Sequence, residues 1–191
     1  MVFITAVIAT RNRLDLLRRT LLSIQECRKP AGFQGVIVVE NGPEELVQRL
    51  LEKVSLGYPV RYKHIPQVSK SKALQCALQE ISEGLVYFLD DDVRLDSNAF
   101  VAIADIASKL PGDFFLGGPV GMDYEKDPPE WIRAYIPYHA GWEYPVFSVT
   151  EVREACFWGA NWVADADDLR RIGGISLRFG PTAQAKGEET K

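Results

Sequence analysis

The sequence has few of the residues that build disulfide frameworks or metal sites of sulfur and imidazole. It contains three cysteines and two histidines in 191 residues. Cys27, Cys76 and Cys156 are odd in number, far apart and set among apolar residues, so we expect reduced thiols in packing positions and neither a disulfide framework nor a zinc site. With His64 and His139 as the two histidines, no histidine-based metal site is expected.

Long apolar runs are also missing. No stretch approaches the roughly 18 residues of a membrane-spanning helix, and the first residues lack the basic leader and cleavage region of a signal peptide. We therefore expect a cytoplasmic protein, either free or peripherally associated with the inner face of the membrane. The dinucleotide fingerprint G-x-G-x-x-G and the phosphate loop G-x-x-x-x-G-K-[ST] are absent too, which argues against dehydrogenases and P-loop enzymes.

The net charge of −4 conceals two halves of opposite sign. Residues 1–72 carry twelve Lys and Arg against six Asp and Glu, whereas residues 73–191 carry ten against twenty. A basic half beside an acidic half suits an anionic ligand held with the help of a metal, and argues against nucleic acid as a partner. Unevenly charged solvated surfaces would give the same pattern.

Buried strands and amphipathic helices alternate along the chain. The predicted elements, in order, are a strand at 2–9, a helix at 14–24, a strand at 35–39, a helix at 44–53, a strand at 60–65, a helix at 69–81, a strand at 85–89, a helix at 97–110, a strand at 114–120, an irregular stretch at 122–150, a strand at 156–164 and a helix at 165–172. This alternation is typical of an α/β fold with a mostly parallel sheet covered by helices.

Polar residues follow three of the predicted strands, namely Thr10, Glu40 and the triplet 90–92. The carboxyl ends of parallel strands meet at the edge where α/β sheets bind ligands. Three adjacent carboxylates repel one another, and they are stable together mainly if a cation or hydrogen-bond donors lie among them. A divalent metal is the natural candidate; a polar strand end that leads to a helix cap at Asp96 and Ser97 is the alternative.

Six segments together carry a family resemblance. In chain order they are IATRNR, VIVVENG, SKSKALQCAL, YFLDDDV, FWGANWV and GEET. The ordered set resembles family 2 glycosyltransferases of the GT-A fold, which transfer a sugar from a nucleotide-diphosphate donor to a hydroxyl with inversion. The resemblance implies a single GT-A domain over 1–191, with a nucleotide-sugar half at 1–96 and an acceptor-side half at 97–191. Family members continue beyond the last segment, so a chain truncated at its C-terminus is expected.

The resemblance also implies residues that bind the donor. Thr10 and Arg13 match the loop that faces the nucleoside, and Glu40 stands where the family usually has an aspartate that touches the base or ribose. Lys70 and Lys72 match basic positions at the start of a helix, for which a solvated first turn is the alternative.

Asp90 and Asp92 match the ends of the family's DXD motif. The resemblance implies Mg²⁺ or Mn²⁺ as cofactor, with Asp92 as the first choice of ligand and Asp90 or Asp91 holding ribose or a metal-bound water. Such a cation neutralises the charge that grows on the departing diphosphate.

The acceptor side is implied by the G-A-N segment, Gly159 to Asn161. Aromatic side chains of the irregular stretch 122–150, with Trp142 among them, suit stacking on a sugar, although they could equally pad a long loop. Trp158, next to the G-A-N segment, is a further acceptor-side candidate.

The family's acidic pair, which supplies the base, matches Glu188 and Glu189. Glu189 aligns with the usual aspartate and Glu188 is the alternative base. A charged, frayed tail is the competing interpretation.

The expected partners are a nucleotide sugar and a glycan, lipid-linked or other hydroxyl acceptor. The absence of the Q-x-x-R-W motif of processive synthases favours a single transfer. A nucleotidyltransferase of similar fold and an inactive module that binds a nucleotide sugar or glycan are the alternatives. The first would have a glycine-rich loop after the first strand, whereas TRNR has no glycine.

Overall fold

A six-stranded sheet organises the parts of the chain that the computed structural model describes, which are residues 1–110, 113–133 and 159–177. The strands are β1 (Ile4–Thr10), β2 (Phe33–Asn41), β3 (Val60–Ile65), β4 (Leu85–Leu89), β5 (Phe115–Gly117) and β6 (Asn161–Asp165). The helices are α1 (Leu14–Glu26), α2 (Val47–Leu51), α3 (Lys70–Gln79), α4 (Ala99–Ala107), α5 (Glu130–Arg133) and α6 (Ala166–Arg171). Across the sheet the strand order is β3-β2-β1-β4-β6-β5.

The first four strands of the chain run parallel, and β6 pairs antiparallel with both β4 and β5. The chain moves outward from β1 through β2 to β3 and then crosses back to place β4 on the other side of β1. The strand order therefore reverses between β1 and β4. In open α/β sheets the crevice outside the carboxyl ends at such a switch point is where ligands bind.

Helices cover both faces of the sheet. On β1, Ile4, Ala6 and Ile8 pack with α1, whereas Val7 and Ala9 pack with α3. This period of two explains the continuous apolar run of β1, since a strand buried on both faces has no polar side. Burying each Ile or Leu of this kind stabilises the fold by about 1.5–3 kcal/mol, so the carboxyl edge is built on a firm scaffold.

The predicted fold class is confirmed, and β3 and β4 have the predicted bounds. The strands at the other end of the sheet are shorter than predicted. β5 ends at Gly117, just before Gly118 and Pro119, because proline cannot donate a backbone hydrogen bond. β6 begins at Asn161 after a turn at 159–160, and the earlier part of its predicted range lies outside the described residues.

Two helices differ from the prediction for local reasons. α2 begins at Val47 and not at residue 44, because a side chain from β2 accepts hydrogen bonds from the amides of Leu46 and Val47. The short α5 was not predicted, since Pro128 and Pro129 indicated irregular chain. Proline is well suited to a helix start, where its missing N–H is not needed.

Cys27 and Cys76 are free thiols, as predicted, and Cys27 is buried. The Cys27 thiol donates to the carbonyl oxygens of Ser23 and Asp96 at 3.3 Å, and burial raises its pKa. Cys156 lies outside the described residues. Among the helices of the described segments, none is long and apolar enough to cross a membrane.

Candidate functional site

The ends of β1 and β4 are joined by a buried hydrogen bond. Thr10 Oγ1 donates to Asp91 Oδ2 at 2.6 Å, and both residues are at least 96% buried. The backbone of Asp91 is also fixed, because the hydroxyl of Thr20 on α1 lies 2.9 Å from its carbonyl oxygen. Asp91 is thus held by its side chain and its backbone at the point where the strand order reverses.

Arg13 is the second partner of the acidic triplet. It precedes the first turn of α1, and Asn12 before it adopts a positive φ of 53°, a conformation that asparagine tolerates better than most residues. The guanidinium lies 2.9 Å from Asp91 Oδ1 and also pairs with Asp92 Oδ2. Burial disfavours the charged form of Arg13, but the neighbouring carboxylates of Asp91, Asp92 and Asp90 outweigh it and raise its pKa.

Asp91 is the buried member of the triplet. Burial raises the pKa of its carboxyl, and this effect exceeds the opposing effects of the Thr10 hydrogen bond and the Arg13 charge. The charges of Asp92 and Asp90 add to the increase. Both oxygens of the Asp91 carboxylate contact protein groups, Thr10 at one and Arg13 at the other.

Lys70 reaches the triplet from the start of α3. Ser69 caps this helix, since its Oγ accepts a hydrogen bond from the Lys72 amide at 3.2 Å. Lys70 Nζ lies 2.9 Å from Asp90 Oδ1 and is mostly shielded from solvent, whereas Lys72 is exposed. The structure therefore brings Lys70 to the acidic residues and leaves Lys72 on the surface of the helix.

Protein groups supply the donors and positive charges that the triplet needs. Asp90 pairs with Lys70, Asp91 with Thr10 and Arg13, and Asp92 with Arg13. Asp90 and Asp92 each use one oxygen for the basic partner and remain partly exposed, with side-chain accessibilities of 28% and 38%. The middle carboxylate is buried and tied to protein groups on both oxygens, whereas the outer two remain partly exposed at the carboxyl ends of the strands.

The outer carboxylates suit a divalent metal by the chemistry of their oxygens. Within residues 1–110, 113–133 and 159–177, no group of three or more His, Cys, Asp or Glu side chains is arranged to hold a metal ion. Mg²⁺ and Mn²⁺ at phosphate sites take one or two carboxylates and complete their coordination with water and phosphate oxygens. Asp90 and Asp92 fit such a site.

Glu40 is placed differently from the sequence interpretation, which had it facing the donor. It is 1% exposed. Its Oε1 accepts from the Leu46 amide at 3.0 Å, and its Oε2 accepts from the Val47 amide at 3.1 Å and the Tyr62 hydroxyl at 2.7 Å. Glu40 therefore caps the start of α2, a role that sequence reasoning missed. The one hint of this role in the sequence was that glutamate, which is longer than aspartate by one methylene, stands at this position.

The loop after β2 is tied to its neighbours at several points. Asn41, the last residue of β2, donates from Nδ2 to the Thr10 carbonyl oxygen at 3.1 Å, which joins the start of this loop to the end of β1. His64 on β3 lies with Nε2 2.7 Å from the Gly42 carbonyl oxygen and with Nδ1 3.0 Å from Glu45 Oε1. Asn41 and His64 were not among the predicted site residues, although both stand at strand ends of the carboxyl edge.

On the other side of β4, Asn161 links three parts of the chain. Its Oδ1 accepts from the Tyr87 hydroxyl at 3.0 Å, and its Nδ2 donates to the Pro119 carbonyl oxygen at 3.0 Å. A Cβ at Gly118 would lie 2.7 Å from Asn161 Nδ2, so a larger residue there would displace the Asn161 amide. Gly159 lies in the turn just before β6. Trp142, Trp158, Glu188 and Glu189 lie outside the described residues.

The model of the family "Glycosyl transferase family 2" matches residues 5–173. The chain belongs to this family. A curated relative, the succinoglycan biosynthesis protein ExoM of Rhizobium meliloti (strain 1021), is 28% identical over 156 residues, which is 80% of this chain and 49% of the relative. The chain thus spans about half the length of the curated relative that it matches.

Solved structures of glycosyltransferases share the fold. The S. aureus protein TarS, residues 1–349, matches with a TM-score of 0.66 at 12% identity, over 98% of this chain and 52% of that one. The mannosyltransferase PcManGT from Pyrobaculum calidifontis, in complex with GDP-Man and Mn²⁺, matches with a TM-score of 0.58 at 21% identity, over 92% of this chain and 48% of that one. TarS 1–349 in complex with UDP-GlcNAc matches with a TM-score of 0.57 at 16% identity, over 67% of this chain and 37% of that one. The sheet is a GT-A fold.

Proposed function

We propose that this chain is a glycosyltransferase that moves a sugar from a nucleotide-diphosphate donor to an acceptor hydroxyl, with inversion and in a single transfer. The observation that carries the proposal is the convergence of Arg13 and Lys70 on the outer carboxylates Asp92 and Asp90 at the strand switch point. Family membership supports the class of reaction. The GDP-Man and UDP-GlcNAc complexes of similar structures support the class of donor.

The donor would lie in the crevice at the carboxyl ends of β1 and β4, in the half formed by residues 1–96. Arg13 and Lys70 are the two cations there, each in an ion pair with an aspartate. Both suit a diphosphate, because Arg can bind phosphate with two parallel N–H donors and Lys can bind it as a point charge. Thr10 is turned toward Asp91, so its contribution is to hold the acidic end of β4 in place. The exposed Lys72 is available to the outer part of a bound donor.

We propose Mg²⁺ or Mn²⁺ as cofactor, held by Asp92 and by Asp90. A bound cation of this kind stabilises negative charge on the leaving diphosphate as a Lewis acid. Arg13 and Lys70 pair with the same carboxylates in the structure, so binding of a donor and its metal would redirect these two side chains toward phosphate.

The acceptor would approach from the half formed by residues 97–191. We propose Glu189, with Glu188 as the alternative, as the carboxylate that removes the proton of the acceptor hydroxyl. A base on the face opposite the leaving group gives inversion, as in inverting glycoside chemistry. Gly159 and Asn161, with Trp142 and Trp158, are proposed for the acceptor side, and the acceptor is a glycan, a lipid-linked or another hydroxyl compound. The likeness to a succinoglycan biosynthesis protein supports a role in polysaccharide or glycoconjugate synthesis.

A thermal-shift screen of UDP, GDP, dTDP and CMP, each with and without Mn²⁺, tests the proposal first. A cognate nucleotide at 100 times its Kd adds about 2.7 kcal/mol of stability, so one nucleotide should raise Tm clearly, and more so with Mn²⁺. The matching sugar nucleotide is then incubated with acceptors, and the anomeric configuration of the product is read by NMR.

Three results would contradict the proposal in different ways. No response to any nucleotide would remove the donor assignment. Release of pyrophosphate from a nucleoside triphosphate and a sugar 1-phosphate would indicate a nucleotidyltransferase. Metal-dependent donor binding with neither transfer nor donor hydrolysis would indicate an inactive binding module.

A further inference from the structure

The carboxylate of Glu40 is buried at the carboxyl edge of the sheet, on the strand next to β1, whose end borders the proposed donor crevice. Glu40 lies opposite Thr10 in the pairing of β1 with β2, and Thr10 contacts the acidic triplet. A carboxylate in that position could touch a ligand directly. Its exposure of 1% and its three protein donors, Leu46, Val47 and Tyr62, leave it facing the protein and not the crevice.

Two of the three contacts of Glu40 hold the segment that follows β2: they come from the amide of Leu46, at the far end of residues 41–46, and from the amide of Val47, the first residue of α2. The third comes from Tyr62 on β3 and holds the Glu40 carboxylate itself in place. Bonds from backbone N–H groups to a carboxylate are charge-assisted and stronger than neutral ones. Aspartate, one methylene shorter, would not span from β2 to the start of α2 without moving one of them.

The segment 41–46 itself borders the crevice. Asn41 at its start donates to the Thr10 carbonyl oxygen, and a Cβ built at Gly42 would lie 3.6 Å from the side chain of Arg11. Gly42 has a φ of 139°, which favours glycine. The position of this loop is therefore coupled both to the end of β1 and to the contacts of Glu40 at the loop's other end.

We propose that Glu40 is a positioning residue that fixes loop 41–46 against the donor crevice, with Tyr62 as its partner, and that it does not contact the donor. This inference rests on the proposed function. It implies that Glu40 sets the affinity for every nucleotide that binds and does not choose among bases.

Binding of UDP, GDP and dTDP to Glu40→Gln, Glu40→Asp and Tyr62→Phe, measured by calorimetry, tests the inference. A positioning role predicts that each variant weakens the binding of every nucleotide that the wild type binds. Within one variant the factor should be the same for all nucleotides, about tenfold for loss of one charge-assisted bond. The ratios of affinities between nucleotides would stay unchanged. A direct contact predicts instead a changed ratio in Glu40→Gln, near-normal binding in Glu40→Asp and no effect of Tyr62→Phe; this pattern would overturn the inference.

Tyr58→Phe is the matched control. The Tyr58 hydroxyl donates to the Leu21 carbonyl oxygen at 2.7 Å, in a buried hydrogen bond away from this loop. The control should lower stability while leaving nucleotide affinity at the wild-type value. Equal weakening of binding by Tyr58→Phe would mean that the loop variants act through general stability, and would overturn the inference.

Amide hydrogen exchange in the free protein separates this inference from the proposed function. Glu40→Asp and Tyr62→Phe should each accelerate exchange at the Leu46 and Val47 amides, with little change in β4. Unchanged exchange at both amides would overturn the role of Glu40 in holding the loop. Wild-type protein that binds no nucleotide would overturn the proposed function and the donor part of the inference, whereas the exchange result would still decide whether Glu40 holds the loop.

Discussion

The hydroxyl of Thr10 and the carboxylate of Asp91 form a 2.6 Å hydrogen bond between the ends of two neighbouring parallel strands. Arg13 contacts the other oxygen of the same carboxylate. This arrangement assigns different tasks to three consecutive aspartates. The buried middle one fixes the strand ends, and its neighbours, which are partly exposed, are the ones that we propose meet the ligand.

Replacing Thr10 tests the structural part of this assignment. Thr10→Val keeps the shape and removes the hydroxyl, so Asp91 loses a buried hydrogen bond, and we expect the free energy of unfolding to fall by about 1.5–3 kcal/mol. Urea denaturation followed by circular dichroism measures the change. Thr10→Ser keeps the hydroxyl and should retain most of the stability. A Thr10→Val variant as stable as the wild type, with the loss confined to Thr10→Ser, would show that the methyl group, and not the hydrogen bond, matters.

Arg13→Met leaves the buried carboxylate of Asp91 without its cation. Because Arg13 is 46% exposed, solvent screens part of the interaction, and the expected loss of stability is about 1–2 kcal/mol. Nucleotide binding should weaken as well, which calorimetry would show. Arg19→Met is the control, since Arg19 pairs with Glu125 on the surface and its loss should cost about 0–1 kcal/mol. Arg13 and Arg19 variants of equal stability would contradict the special role of Arg13.

Lys70→Met should weaken the binding of a nucleoside diphosphate more than the binding of the corresponding nucleoside. Lys70 is proposed to meet phosphate, so the loss for the diphosphate should be about tenfold, the effect of one charge-assisted bond, with little change for the nucleoside. Lys109→Met, which breaks an exposed pair with Asp105, is the control. An equal loss of affinity for the nucleoside and the diphosphate would show that Lys70 supports the structure of the crevice and does not bind the phosphates.

Glu189→Gln should spare donor binding and remove turnover, because an amide keeps the size of the side chain and cannot accept a proton at neutral pH. Donor affinity by calorimetry and single-turnover transfer provide the two readouts. Glu188→Gln, measured in parallel, decides between the two carboxylates. Full turnover in both variants would exclude this pair as the base.

Much of the sheet could be predicted from the sequence because each strand has its own local pattern of apolar and polar residues. The apolar run of β4 and the alternation in β3 fix their bounds, and polar residues at the ends of β1 and β4 mark the carboxyl edge of the sheet. Which of the three aspartates is buried could not be predicted in this way. Asp90, Asp91 and Asp92 are chemically identical, and their different burial is decided by Thr10 and Arg13, which lie about 80 residues earlier in the chain.

Glu40 shows the same limit from the other direction. Its place at the end of a buried strand correctly puts it at the carboxyl edge, but its partners Leu46 and Tyr62 belong to a helix start and a neighbouring strand. Which way the side chain turns depends on donors that only the folded chain brings near. Similarly, Asn161 was predicted for the acceptor side from its motif, and its contacts with Tyr87 and Pro119 became apparent only from the pairing of β6 with β4 and β5.

Calorimetric titration of Asp92→Ala with the nucleotide selected by the thermal-shift screen, with and without Mn²⁺, tests the central claim most directly. Asp123→Ala, which removes an exposed carboxylate paired with Arg94, is the control. The account predicts that the wild type and the control bind more tightly with Mn²⁺, whereas Asp92→Ala binds equally with and without it. An Mn²⁺-dependent gain in Asp92→Ala as large as in the wild type would contradict the assignment of the metal to the end of β4.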